Sequence, residues 1–141
     1  MKVNEYEVRE GLYYGKEHEW VKIEGQLARI GITDYAQKQL GDVVYVEFVD
    51  VGSKVEQTKE AKTKAMELGV IESIKAVSEI YAPVSGTLKD INQVLRDKPE
   101  LFNTDPYGEG WICLVEASNL EAELKNLMDA NAYAEFLKGL K

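Results

Sequence analysis

The sequence predicts a mainly β protein, a sandwich or barrel with one short internal helix and a helical C-terminal end. Three observations carry that expectation. Short alternating or β-branched runs recur through the first two thirds of the chain, turn residues punctuate them closely, and the longest amphipathic helical run lies in the last quarter.

In order along the chain, Trp20-Val21-Lys22-Ile23 alternates, Glu24-Gly25-Gln26 turns, and Leu27 to Ile32 alternates again, the pattern of a hairpin. Thr33-Asp34 offers an N-cap for a helical piece over Tyr35–Leu40 that Gly41 closes. Val43 to Val49 is the most β-prone run and ends at the Val51-Gly52 turn. Glu56 to Glu67 lacks alternation and is rich in helix formers, which predicts a polar helix or an exposed loop. After Gly86, Thr87 to Ile91 reads as a strand, Pro99 to Asn103 as one helical turn, and Trp111 to Glu116 as a buried strand. Ser118-Asn119 then caps a run that places Leu120, Leu124, Leu127 and Met128 on one face, and Ala130 to Leu140 forms a second helix.

With 141 residues the chain suits a single domain over 1–141, with residues from about 117 forming a helical extension. Its one cysteine, Cys113, lies in an apolar run and cannot form an internal disulfide, so a reducing, cytoplasmic setting is expected. No apolar run reaches the length of a membrane span, and the N-terminus lacks the character of a signal or transit peptide. A net charge of −8 repels nucleic acid and anionic lipid and favours partners with basic patches. One His and one Cys are too few for a metal site, and His18 is expected to pack or hydrogen-bond.

The chemistry centres on Lys75. It stands in Gly69-Val-Ile-Glu-Ser-Ile-Lys75-Ala-Val-Ser-Glu79, followed by Ala82-Pro83-Val84-Ser85-Gly86. By period alone this stretch is ambiguous, since Ile71, Ile74, Val77 and Ile80 would also fit one face of a helix. The β-branched content and the early Pro83 and Gly86 favour strands.

The segment resembles the lipoyl-attachment site of glycine cleavage system H proteins, Gly-Val-Val-Glu-Ser-Val-Lys-Ala-x-Ser-Asp and then Pro-x-x-Gly, with conservative changes at 71, 74 and 79. Further blocks are similar to that family in the same order: Glu17-His-Glu-Trp-Val21, Gly31 to Gln37, Leu40 to Val44 and Asp105 to Trp111. The likeness runs from about Leu12 to Leu140. It implies a flattened barrel-sandwich of the lipoyl-domain type, with Lys75 at the tip of a two-strand turn and lipoic acid in amide linkage to it.

The resemblance further implies a carrier and not an enzyme. A glycine decarboxylase would load an aminomethyl group on the arm, an aminomethyltransferase would pass the carbon to tetrahydrofolate, and a dihydrolipoyl dehydrogenase would reoxidise the dithiol. A lipoate ligase or lipoyl transferase would attach the arm, with Glu72 as the residue it recognises, because an alkylammonium is a poor nucleophile near neutral pH. For a cationic loaded arm, Glu19 and Glu79 are the implied docking carboxylates, and Gln39 stands where some members place a histidine; the alternative for Glu19 is a solvated strand carboxylate. Asp105 to Trp111 is expected to be structural.

The connection from Gly52 to Gly69 is longer than is usual in the family and suggests an insertion, which keeps open an H-like lipoyl carrier serving another pathway, lipoyl relay or sulfur oxidation. A biotinyl carrier would place its lysine between methionines, where this chain has Ile74 and Ala76. A Ser73 and Lys75 catalytic dyad lacks an oxyanion site, and an unmodified structural β domain is the remaining alternative.

Overall fold

The computed structural model describes residues 1–140. The strands are β1 (Lys2–Val3), β2 (Tyr6–Glu7), β3 (Tyr13–Tyr14), β4 (Glu19–Glu24) and β5 (Leu27–Ile32), followed by helix α1 (Asp34–Leu40). Then come β6 (Val43–Phe48), β7 (Lys54–Val55), a 3-10 turn at Lys64–Met66, β8 (Glu67–Ser73), β9 (Val77–Tyr81) and β10 (Gly86–Ile91). Two single-turn helices, α2 (Val94–Asp97) and α3 (Leu101–Thr104), precede β11 (Cys113–Ala117), α4 (Leu120–Leu124) and α5 (Ala130–Lys138).

The strands make a six-stranded sheet in the order β3-β4-β5-β11-β10-β7, a three-stranded sheet β6-β8-β9, and the small β1-β2 pair. The two main sheets face each other across one apolar core, in which Val21, Ile30, Leu88 and Val115 of the first meet Val46, Ile71 and Ile80 of the second. Inward positions alternate with outward ones, as the period of two requires. This is the barrel-sandwich architecture expected, but the sheets stay separate and do not close into a barrel.

Local chemistry explains the elements that were legible. The Thr33 hydroxyl accepts from the Ala36 amide and caps α1, and Gly41, at φ +79°, ends it in a conformation that favours glycine. Gly25 turns the β4–β5 hairpin at φ +67°.

Two expectations change. Asn119 makes no side-chain capping bond, and the run 120–128 stops being helical after Leu124 because Met128 exchanges both backbone bonds with Tyr14, which pulls it into a β-bridge. The last strand begins at Cys113 and not Trp111, the Asn92 amide donating to the Trp111 carbonyl instead of a ladder partner. Of the two readings for the segment after Glu56, the loop holds: residues 56–63 are a largely exposed loop that leads through the 3-10 turn, with Met66 buried, into β8, and it is pinned by Gln57, whose side-chain amide donates to the carbonyls of Pro83 and Glu123.

A second apolar cluster joins the N-terminal strands to α5. Ala130, Tyr133, Ala134 and Leu137 lie on one face of α5 and pack on Val3, Val8, Tyr14 and Trp20. The Tyr14 and Tyr133 rings stack at 4.4 Å, and the Trp20 indole donates to the Pro106 carbonyl, so the Asp105–Trp111 turn serves the packing of β4. Trp20 lies across Gly31, where a Cβ would stand 2.5 Å from the indole ring. Gly31→Ala is therefore expected to cost about 2–4 kcal/mol, combining overpacking with loss of the indole hydrogen bond, and chemical denaturation will measure it.

Candidate functional site

The segment around Lys75 forms a hairpin. β8 and β9 pair antiparallel with Glu72 opposite Val77, leaving Ile74, Lys75 and Ala76 as the turn. The Ser73 hydroxyl stabilises it by accepting from the amides of Ala76 (3.0 Å) and Lys75 (3.3 Å), while the Ser73 amide donates to the Ala76 carbonyl at 2.8 Å. That use of the hydroxyl as a turn cap removes the Ser73–Lys75 dyad from consideration.

The helical reading of the same residues fails on burial. A helix would cover Ile71, Ile74, Val77 and Ile80 together; the hairpin buries Ile71 and Ile80 and leaves Ile74 72% and Val77 63% exposed beside the lysine.

The tip is anchored to the end of α1. The Ile74 amide donates to the Asp42 carbonyl, and Asn103 donates to the Gly41 carbonyl while its own carbonyl oxygen accepts from the Val43 amide. The Lys75 stem lies over Gly41, with its Cε 3.2 Å from the place a Cβ would occupy. Exposure of the ammonium and rigidity of its base are thus supplied by different residues.

Beside the tip opens a cleft of about 410 Å³. Its walls are apolar, from Ile32, Ala36, Leu40, Ile71, Val77 and Ile80, and its polar groups include Glu17, Glu19, Gln39 and Glu79. The three residues proposed for arm docking therefore share one cavity that begins at Ala76, next to Lys75. Gln39 and Glu79 are exposed at its rim, with the Gln39 amide donating to the Tyr6 hydroxyl at 3.3 Å. Glu72 is half-buried on β8 and does not line the cleft.

Glu19 is not the solvated carboxylate of the alternative reading. It is 3% exposed, at the start of β4, and burial pushes its carboxyl up to about 8, with the Glu17 carboxylate adding in the same direction. A Cβ at Gly15 would fall on the Glu19 carboxyl oxygen, so glycine there makes room for the group. A second cleft of about 430 Å³ opens on the other side, lined by Gly15, Lys16, Glu17, Glu19, Thr58 and Lys62 among others. Lys62, from the long loop before the tip, pairs with Glu17 at 3.3 Å.

His18 does pack: its Nδ1 lies 2.8 Å from the Tyr133 hydroxyl, its ring sits against Tyr35, and burial holds it below the ordinary histidine range. The Cys113 thiol is buried and pushed well above its usual range, which makes it inert. No helix among the described residues is long and apolar enough to cross a membrane.

A β sandwich that displays one lysine on a braced hairpin, above a cleft with apolar walls and acidic groups, has the architecture of a carrier domain. The chain matches the family model described as glycine cleavage H-protein over residues 12–140. It belongs to the glycine cleavage H-protein family, a carrier component of glycine cleavage.

The chain is 55% identical to a probable glycine cleavage system H protein of Pyrococcus furiosus over 141 residues, 99% of each chain. It is 50% identical to the glycine cleavage system H protein of Symbiobacterium thermophilum over 127 residues, 90% of this chain and 93% of that one. A crystal structure of the Mycobacterium marinum H protein superposes with a TM-score of 0.77 at 31% identity, covering 93% of this chain and 99% of that one.

Proposed function

We propose that this chain, acting as a single carrier unit, shuttles an aminomethyl group in glycine cleavage on a lipoyl arm attached through the Lys75 amine. The observation that carries this is the placement of one exposed lysine on a braced tip immediately beside an apolar cleft that ends in carboxyls. When bound, the lipoyl group supplies a disulfide that accepts the aminomethyl group from glycine decarboxylase, yields it to a tetrahydrofolate-dependent aminomethyltransferase, and is reoxidised by dihydrolipoyl dehydrogenase. Every other contribution comes from the protein.

The residues present fit such a group. Ile32, Ala36 and Ile80 offer an apolar bed for an aliphatic arm, and Glu19 and Glu79, with Gln39 at the rim, face the place where its cationic end would lie. Docking there would exclude water from the arm's end, and tethering raises its effective concentration at each partner's active site. The net charge of −8 favours encounter with basic partner surfaces. Reconstitution with the decarboxylase and aminomethyltransferase tests the pathway: the lipoylated protein should support glycine-dependent carbon dioxide exchange, and a lipoylated protein that supports none would return the assignment to another lipoyl-dependent pathway.

Glu72 supports attachment in this reading. It sits one strand position before Ser73 and opposite Val77, close enough to the tip to be covered by a lipoate ligase or lipoyl transferase gripping Lys75. Glu72→Ala should slow lipoylation about tenfold or more, the loss of one charge-assisted contact, without changing the melting temperature by more than about 2 °C. Unchanged modification kinetics would remove Glu72 from the recognition surface.

A further inference from the structure

Glu19 has two faces, and the docking cleft uses only one of them. The residue lines the cleft beside Lys75 and also the second cleft behind it, and its Oε1 abuts Gly15 of the second. It is almost wholly buried, and no basic side chain stands within ion-pair distance of it among the described residues; the nearest candidate, Lys62, is engaged by Glu17.

The surrounding groups do not neutralise it. On the docking side stand the Glu17 and Glu79 carboxylates, the Tyr35 phenol, and His18, which burial keeps uncharged. Behind it Lys62 is paired with Glu17 and favours the ionised form only weakly against burial, Lys16, Lys59 and Glu60 line the same cleft without an ion pair to Glu19, and burial pushes the nearby Tyr133 phenol up. An ionised carboxylate in that position would be desolvated and unpaired, so the resting group holds its proton near neutral pH.

Resting on the docking reading above, we propose that Glu19 is a proton-coupled discriminator: it surrenders its proton to water in the rear cleft when a cationic arm end docks, and retakes it when the arm is neutral. The coupling follows from charge balance. A cation in the front cleft supplies the partner that Glu19 lacks, and the O–H bond of the carboxyl breaks as the proton passes to solvent through the space between Gly15 and Lys62. A neutral oxidised arm brings no such partner and leaves the carboxyl protonated. The cleft thus holds the loaded arm more firmly than the empty one, and the preference grows as pH rises toward the resting titration point.

The Lys62–Glu17 pair sets that point. Freed from Lys62, Glu17 would bring uncompensated negative charge to both clefts and make Glu19 harder to ionise.

The test uses lipoylated protein carrying carboxyl-labelled glutamate. Reducing the arm and alkylating its thiols with 2-bromoethylamine gives a stable cationic end, and 2-bromoethanol gives a neutral isostere; the buried Cys113 is spared. The Glu19 carboxyl resonance, assigned by its loss in Glu19→Gln, is followed from pH 5 to 10. With the neutral arm its midpoint should lie near 8, and with the cationic arm at least one pH unit lower, a tenfold or greater preference, on the order of 1.4 kcal/mol.

Lys62→Met, a change on an exposed loop, should raise the neutral-arm midpoint. Equal midpoints for the two arms, with Ile32 and Ala36 resonances showing that both arms dock, would overturn the proton coupling and leave docking intact. If neither arm perturbs Ile32 or Ala36, the docking reading itself fails and the coupling with it.

Discussion

Lys75→Arg should abolish the lipoyl mass increment completely while leaving the fold unchanged. Arginine keeps the positive charge and the apolar stem that lies over Gly41, yet its guanidinium stays protonated and offers no amine for acylation. Because the tip is held by backbone and Ser73 bonds, and Lys75 itself is exposed, the cost to stability should stay within about 0.5 kcal/mol. Intact mass of parent and variant produced with a lipoylating enzyme checks the first part, and a thermal melt checks the second. An increment that survives in the variant would place the arm on another lysine and sink the carrier geometry built around this hairpin. Glycine-dependent carbon dioxide exchange should vanish along with the increment.

The second large effect is on stability against pH, and its direction follows from Glu19. Its folded-state carboxyl is raised to about 8, so the native protein holds a proton that the unfolded chain has already released. Stability from this group is fully present below the ordinary glutamate range and is lost as pH rises through about 8, by on the order of 5 kcal/mol in all.

His18 acts in the opposite direction at lower pH. Burial lowers it, so its contribution is present above the ordinary histidine range and declines as pH falls through the depressed folded value. Asp34, held down by the Glu7 amide, the Gln37 amide and Lys38, is lost only in acid. The difference between parent and Glu19→Gln therefore isolates Glu19. Melts of the unlipoylated protein should show the parent losing about 10 °C relative to the variant between pH 5 and pH 9. Parallel curves would mean that Glu19 is ionised throughout, and would contradict its burial as an unpaired group.

Much of the architecture could be read from local pattern. The β4–β5 hairpin, the Thr33 cap, the Gly41 stop and the β8–β9 tip each rest on residues within a few positions of one another, where propensity and turn chemistry decide the outcome. The pair β1–β2 and strand β3 were not legible, because these two-residue strands are too short to show alternation and are held by α5 and Met128 from the far end of the chain. The premature end of the helix at Leu124 has the same origin, since a long-range bridge to Tyr14 outweighed a favourable helical run.

The site divides along the same line. Lys75, Glu72 and the turn that carries them form a contiguous motif, and that motif together with four further blocks in the same order singled out the lysine. What Glu19 does was not available there: the same letter in the same strand is compatible with a solvated carboxylate or a buried one. Gly15, Pro83 and the loop containing Thr58 and Lys62, far apart in sequence, assemble around it and take most of its surface out of bulk solvent. By itself the sequence singled out the lysine proposed to carry an arm, because a tight turn and its tip are set by neighbouring residues. Only the tertiary structure decided that Glu19 is a buried carboxyl beside a cleft, because desolvation and the absence of a counter-charge are properties of packing between distant segments.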